Sequence, residues 1–151
     1  MAAGPWKVYA KAKKYFGNGT ITLGAGVFKM QLHRASASAA ILALSTRSTA
    51  ASIPGEISAT GGYVAGGRNL PPATAKWTVG ASAKQMRFSY TASGLIFTAS
   101  GAALNNIKYA LIKNSAGKLL CYCTLSTAAF TVTTNNTLTV APNASGVFTL
   151  A

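Results

Sequence analysis

The sequence predicts an all-β protein: an antiparallel β-sandwich, jelly-roll or Ig-like in kind, with one N-terminal α-helix. Three observations carry this. Short apolar or alternating segments recur along residues 20–151, with turn residues about every ten positions, as in sandwiches and barrels. Helical spacing is convincing only over residues 5–16. There is no βαβ alternation and no tandem repeat. The whole chain, residues 1–151, is expected to form a single domain. That length can bury a core without disulfides or metals.

The helix comes first. Pro5 suits a first helical position and Gly17 a stop. Trp6, Tyr9, Ala12 or Lys13, and Phe16 make an apolar face, while Lys7, Lys11 and Lys14 recur at i, i+4 and i+7 as a basic stripe. After the turn Gly17-Asn18-Gly19, Thr20–Leu23 and Val27–His33 alternate, with Ile21, Leu23, Phe28, Met30 and Leu32 directed inward. Gly24-Ala25-Gly26 joins them as a hairpin. Residues 35–58 lose periodicity and read as a long surface loop, with Ile41-Leu42-Ala43-Leu44 as a short helix or packed loop and Ser52-Ile53-Pro54-Gly55 as a turn. Gly61-Gly62-Tyr63-Val64-Ala65-Gly66-Gly67 lacks the GK[ST] of a phosphate loop, so it reads as a bend or a close backbone approach.

Strands then follow in succession. Ala73–Val79 carries Trp77 inward. Lys84–Tyr90 places Met86, Phe88 and Tyr90 on one face, and Leu95–Thr98 is short. The centre is a hairpin: Ile107–Lys113 and Lys118–Leu125 flank Asn114-Ser115-Ala116-Gly117, and both arms are apolar on both faces, as befits strands buried from both sides. Ala129–Thr133, an Asn135-Asn136 turn, Thr137–Ala141 and Val147–Leu150 complete the set.

Charge sets the expected partners. Charged residues make up 10% of the chain, and 14 lysines and arginines face one acid, Glu56, for a formal net charge of +13. Such a surface cannot neutralise itself and should seek an acidic protein, nucleic acid or an anionic membrane. The longest apolar run, near Ala35–Leu44, is far too short to span a bilayer, and no apolar stretch follows Lys7, Lys11, Lys13 and Lys14 as in a targeting signal, so a soluble protein is expected. The other cations, among them Arg47, Arg68, Arg87, Lys108, Lys113 and Lys118, are spread along the chain, and no recognisable nucleic-acid motif organises them.

Catalytic patterns are nearly absent. Paired-carboxylate chemistry needs two acids, and a Ser-His-Asp triad has no Asp. His33, the only histidine, reads as an exposed or edge residue. Cys121 and Cys123, on one face of a strand, stand about 7 Å apart by strand rise, beyond disulfide reach of each other. They read as buried free thiols, with a bond to another chain as the alternative. One histidine and two cysteines make a poor zinc site. No enzyme activity and no cofactor are expected.

Two groups of segments carry a family likeness. The first is Trp6-Lys7-Val8-Tyr9-Ala10-Lys11-Ala12-Lys13, Gly19-Thr20-Ile21-Thr22-Leu23 and Val27-Phe28-Lys29-Met30-Gln31-Leu32. The second is Gly62-Tyr63-Val64-Ala65-Gly66-Gly67, Leu95-Ile96-Phe97-Thr98-Ala99-Ser100-Gly101, Tyr109-Ala110-Leu111, and the ending Asn136-Thr137-Leu138-Thr139-Val140 to Gly146-Val147-Phe148-Thr149-Leu150. In that order they resemble a family of small virion structural proteins of tailed bacteriophages, over most of the chain except about residues 35–58. The resemblance implies a non-enzymatic virion protein, foremost a capsid decoration or cement protein binding the major capsid protein. A tail, neck or fibre component, or a basic nucleic-acid-binding protein lining the head, is the alternative. The expected partners are the major capsid protein or neighbouring virion proteins, with a homo-oligomer or nucleic acid as further options and no membrane. Lys7, Lys11 and Lys14 are the expected partner-binding residues.

Overall fold

The computed structural model describes residues 4–43, 46–71, 77–79 and 85–150. The fold is mostly β, built of antiparallel sheets with an N-terminal helix, and is sandwich-like. Its elements are β1 (Lys7–Val8), α1 (Ala10–Gly17), β2 (Phe28–Arg34), α2 (Ala39–Ala43), β3 (Arg68–Asn69), β4 (Trp77–Val79), β5 (Met86–Phe88), β6 (Leu95–Thr98), β7 (Leu104–Asn114), β8 (Leu119–Thr124), β9 (Phe130–Val132), β10 (Thr137–Val140) and β11 (Phe148–Leu150).

The β7–β8 hairpin is the centre of the largest sheet, whose order is β1-β8-β7-β2-β3, with β9 also pairing β7. At its turn Gly117 takes φ +82°, its N–H donates to the Asn114 carbonyl at 3.0 Å, and Asn114 Oδ1 accepts from the Lys118 N–H at 2.8 Å. Leu111, Ile112, Leu119, Leu120, Cys121 and Cys123 are all buried, so both faces of the hairpin are covered, as its two-sided apolar pattern predicts.

Aromatic rings join the sheets. Phe28 of β2 meets Phe88 of β5 edge-on at 5.1 Å, Phe88 stacks on Phe148 of β11 at 5.3 Å, and Phe148 stacks on Phe16 of α1 at 6.1 Å. One chain of rings therefore ties the large sheet, the three-stranded β11-β5-β4 sheet and the helix into a common core, each pair contributing about 0.5–1.5 kcal/mol beyond its buried area. Tyr63 packs on Phe97 of the two-stranded β10-β6 sheet, and Tyr90 Oη donates to the Val140 carbonyl at 2.9 Å.

Four expectations are corrected. The helix starts at Ala10, not Pro5, because residues 7–9 use their backbone elsewhere: Lys7 and Val8 pair with Tyr122 and Cys121, and the Tyr9 N–H donates to the Leu120 carbonyl at 3.1 Å. Thr20–Leu23 forms no strand with β2. Both edges of β2 are occupied, by β7 and β3, so the 20–26 segment closes instead on a bond from the Gly26 N–H to the Thr22 carbonyl at 2.9 Å, with Ile21 and Leu23 still buried. Residues 35–58 are not simply a surface loop. Ala37, Leu42, Ala50, Ile53 and Ile57 are buried, and the segment bonds onto the ends of β2 and β8 through Arg34 N–H to Gly55 O (2.7 Å), Ile57 N–H to Leu32 O (3.0 Å) and Leu119 N–H to Ser48 O (3.1 Å). His33 is not exposed: it is 1% accessible. Residues 73–76 and Lys84, assigned to strands from the sequence, lie outside the described residues.

Candidate functional site

Lys7, Lys11 and Lys14 do not share a helix face. Lys7 is exposed on β1 at one edge of the large sheet, whereas half-buried Lys11 and exposed Lys14 lie on α1. Only the latter two are i, i+3 neighbours on a helix. Lys14 sits in the last turn, where a cation complements the helix dipole.

The sole acid has an internal role. Glu56 Oε1 accepts from Tyr63 Oη at 2.8 Å and from the Gly66 N–H at 2.7 Å, while Tyr63 Oη accepts from the Leu32 N–H at 3.2 Å. This network clamps the 61–67 segment onto β2. Burial holds the Tyr63 phenol well above its ordinary pKa, so it stays a donor to the carboxylate. The segment is the close backbone approach its glycines predict. A Cβ on Gly67 would lie 2.3 Å from the Met30 carbonyl oxygen, one on Gly61 2.3 Å from that of Ala102, and both residues have positive φ.

His33 faces Glu56 across an antiparallel bridge. Its Nδ1 lies 3.1 Å from the Pro54 carbonyl oxygen, which requires the proton on Nδ1 and leaves Nε2 as a buried atom with no partner. Burial lowers the His33 pKa, so the ring is neutral at pH 7. Cys121 and Cys123 are buried and free, as the strand spacing predicts. Burial raises both thiols, Cys121 well above its ordinary value and Cys123 to about 12, so neither is the thiolate needed for attack or metal ligation at neutral pH.

Strand register assembles a basic site that sequence spacing does not reveal. Lys29 of β2 stands opposite Lys113 of β7 and, on its other side, opposite Asn69 of β3. Directly opposed residues have Cβ atoms roughly 4.5–5.5 Å apart, so two like charges share one face. Lys113 Nζ reaches to 3.9 Å from where a Cβ on Gly66 would stand. Beside this pair lies an open groove of about 450 Å³ lined by Lys29, Gly62, Val64, Gly67, Arg68 and Asn69. Arg68 Nη1 donates to the Ile96 carbonyl, which fixes the guanidinium over the β6 edge. This site depends on β2 pairing with β7, some eighty positions away in sequence. No local pattern announces that pairing.

Among the described residues, no group of three or more His, Cys, Asp or Glu side chains is placed to hold a metal, and no helix is long and apolar enough to cross a membrane. Compared with family models, with curated proteins and with solved structures, the chain matches none.

Proposed function

We propose that this protein is a non-enzymatic structural component of a tailed-phage virion, a capsid decoration or cement protein whose basic surface binds the major capsid protein. The observation that carries the reading is the uncompensated charge. Fourteen cations face one carboxylate, and that carboxylate is already bonded to Tyr63 and Gly66. The neutralising groups must come from outside the chain. Lys7, Lys11 and Lys14 contribute to this surface as separate charges on β1 and α1, each exposed ion pair being worth about 0–1 kcal/mol. The virion assignment itself rests on the resemblance of most of the chain, except about residues 35–58, to phage structural proteins.

A tail, neck or fibre station fits the same reading. The rival of a different class, a basic protein lining the head against DNA, draws on the same +13 charge. Accessibility on intact, DNA-filled particles separates them. A decoration protein is reached by antibody or protease while the genome is still packaged. Protection until the particle is opened would favour the DNA-lining role.

A further inference from the structure

We propose that the groove beside Lys29 and Lys113 is a docking site for an acidic polypeptide segment with an apolar anchor. This rests on the reading that the basic surface meets an acidic protein, and it names where and how. The large apolar side chains that stand exposed among the described residues are Val64 (69%), Val27 (51%) and Ile96 (46%). All three belong to this region. Val64 lines the groove, Val27 stands just ahead of β2 and two residues before Lys29, and Ile96 offers its carbonyl to Arg68. Lys29 and Arg68 line the same groove and Lys113 stands opposite Lys29, three cations against the one carboxylate of Glu56.

An exposed apolar cluster rimmed by one sign of charge marks an interaction surface. Its complement carries apolar side chains flanked by carboxylates. Nucleic acid fits less well, because its backbone would leave Val64, Ile96 and Val27 uncovered, and no exposed aromatic ring lines the groove for a base to stack on. The β3 edge of the groove, with Arg68 and Asn69, is also distant from Lys7. β1 and β3 are the two ends of the β1-β8-β7-β2-β3 order, so they stand roughly 19 Å apart across the sheet. That exceeds the ~8–10 Å screening length at ordinary salt.

The test is binding of the full-length protein to labelled polyglutamate peptides carrying a central pair of leucines or, as control, a pair of serines. The parent should bind the leucine peptide about tenfold more tightly than the serine one. V64S/I96S should abolish that preference. K29Q/K113Q should weaken both peptides and keep the fold, since it removes two opposed like charges. K7Q/K11Q/K14Q should leave the preference intact. Equal binding of both peptides by the parent, a preference that survives V64S/I96S, or no peptide binding at all overturns the proposal. So does duplex DNA that binds more tightly than either peptide and is lost in K29Q/K113Q. The wider capsid reading is judged separately: attachment to DNA-free capsids that is insensitive to V64S/I96S would leave it standing while this site fails.

Discussion

Gly67 shows how much the fold asks of single residues. Its φ is +85°, and a side chain there would collide with the Met30 backbone. Gly67→Ala must therefore strain the backbone and push β3 away from β2, at a cost of about 1–3 kcal/mol or more. Gly17→Ala meets open space at ordinary φ and should be neutral or slightly stabilising. Chemical denaturation of the two variants checks the contrast, and equal stabilities would remove the close approach from the account. His33 gives a pH signature. Its folded pKa lies below the ordinary 6.5 because of burial, with Lys113 lowering it further and the Pro54 carbonyl and Glu56 opposing. Between the folded and unfolded values the unfolded chain binds more protons, so stability is present above about pH 6.5 and falls as pH drops toward the folded pKa. His33→Gln should flatten the acid side of the melting-temperature profile between pH 7 and the folded pKa. A parent profile already flat there would contradict the buried neutral ring.

At the scale of elements, the sequence was legible where patterns are local. The central hairpin and its turn, β6 at Leu95–Thr98, and the bend at residues 61–67 follow from side-chain alternation and glycine placement. What escaped depends on distant partners. Residues 7–9 carry helical spacing, yet an exposed edge of β8 competes for their backbone and wins. Alternation puts His33 opposite Leu32 and so predicts an exposed ring, but β2 is covered on both faces and the ring is buried. The 35–58 segment has small residues with little periodicity, and its burial comes from bonding onto the ends of β2 and β8. Trp6 tests how firmly the N-terminus is held. It is 9% exposed and belongs to the core. Trp6→Ala should cost about 3–5 kcal/mol, lowering the melting temperature by about 6–20 °C. A melting temperature within a degree of the parent would mean that β1 and α1 dock on a partner rather than on the sheets.

Over the whole molecule, the closed apolar core and the unbalanced surface pull in different directions. The core of the described residues is one apolar cluster, whereas the surface lacks counter-charge. The charge imbalance was legible from composition alone. Its arrangement was not, since Lys29, Lys113, Arg68 and Asn69 meet only through strand register. Separate basic zones on β1 with α1 and on β2, β3 and β7 imply that no single lysine is decisive and that attachment to an acidic surface is screened by salt. The direct test is binding of the purified protein to stripped, DNA-free capsids across a salt series, with duplex DNA as a parallel target. Attachment should weaken steadily as salt rises, with a shallower dependence when Lys7, Lys11 and Lys14 are changed to Gln and a shallower one again when Lys29 and Lys113 are added. A parent protein that ignores empty capsids at every salt concentration but binds DNA would contradict the capsid reading.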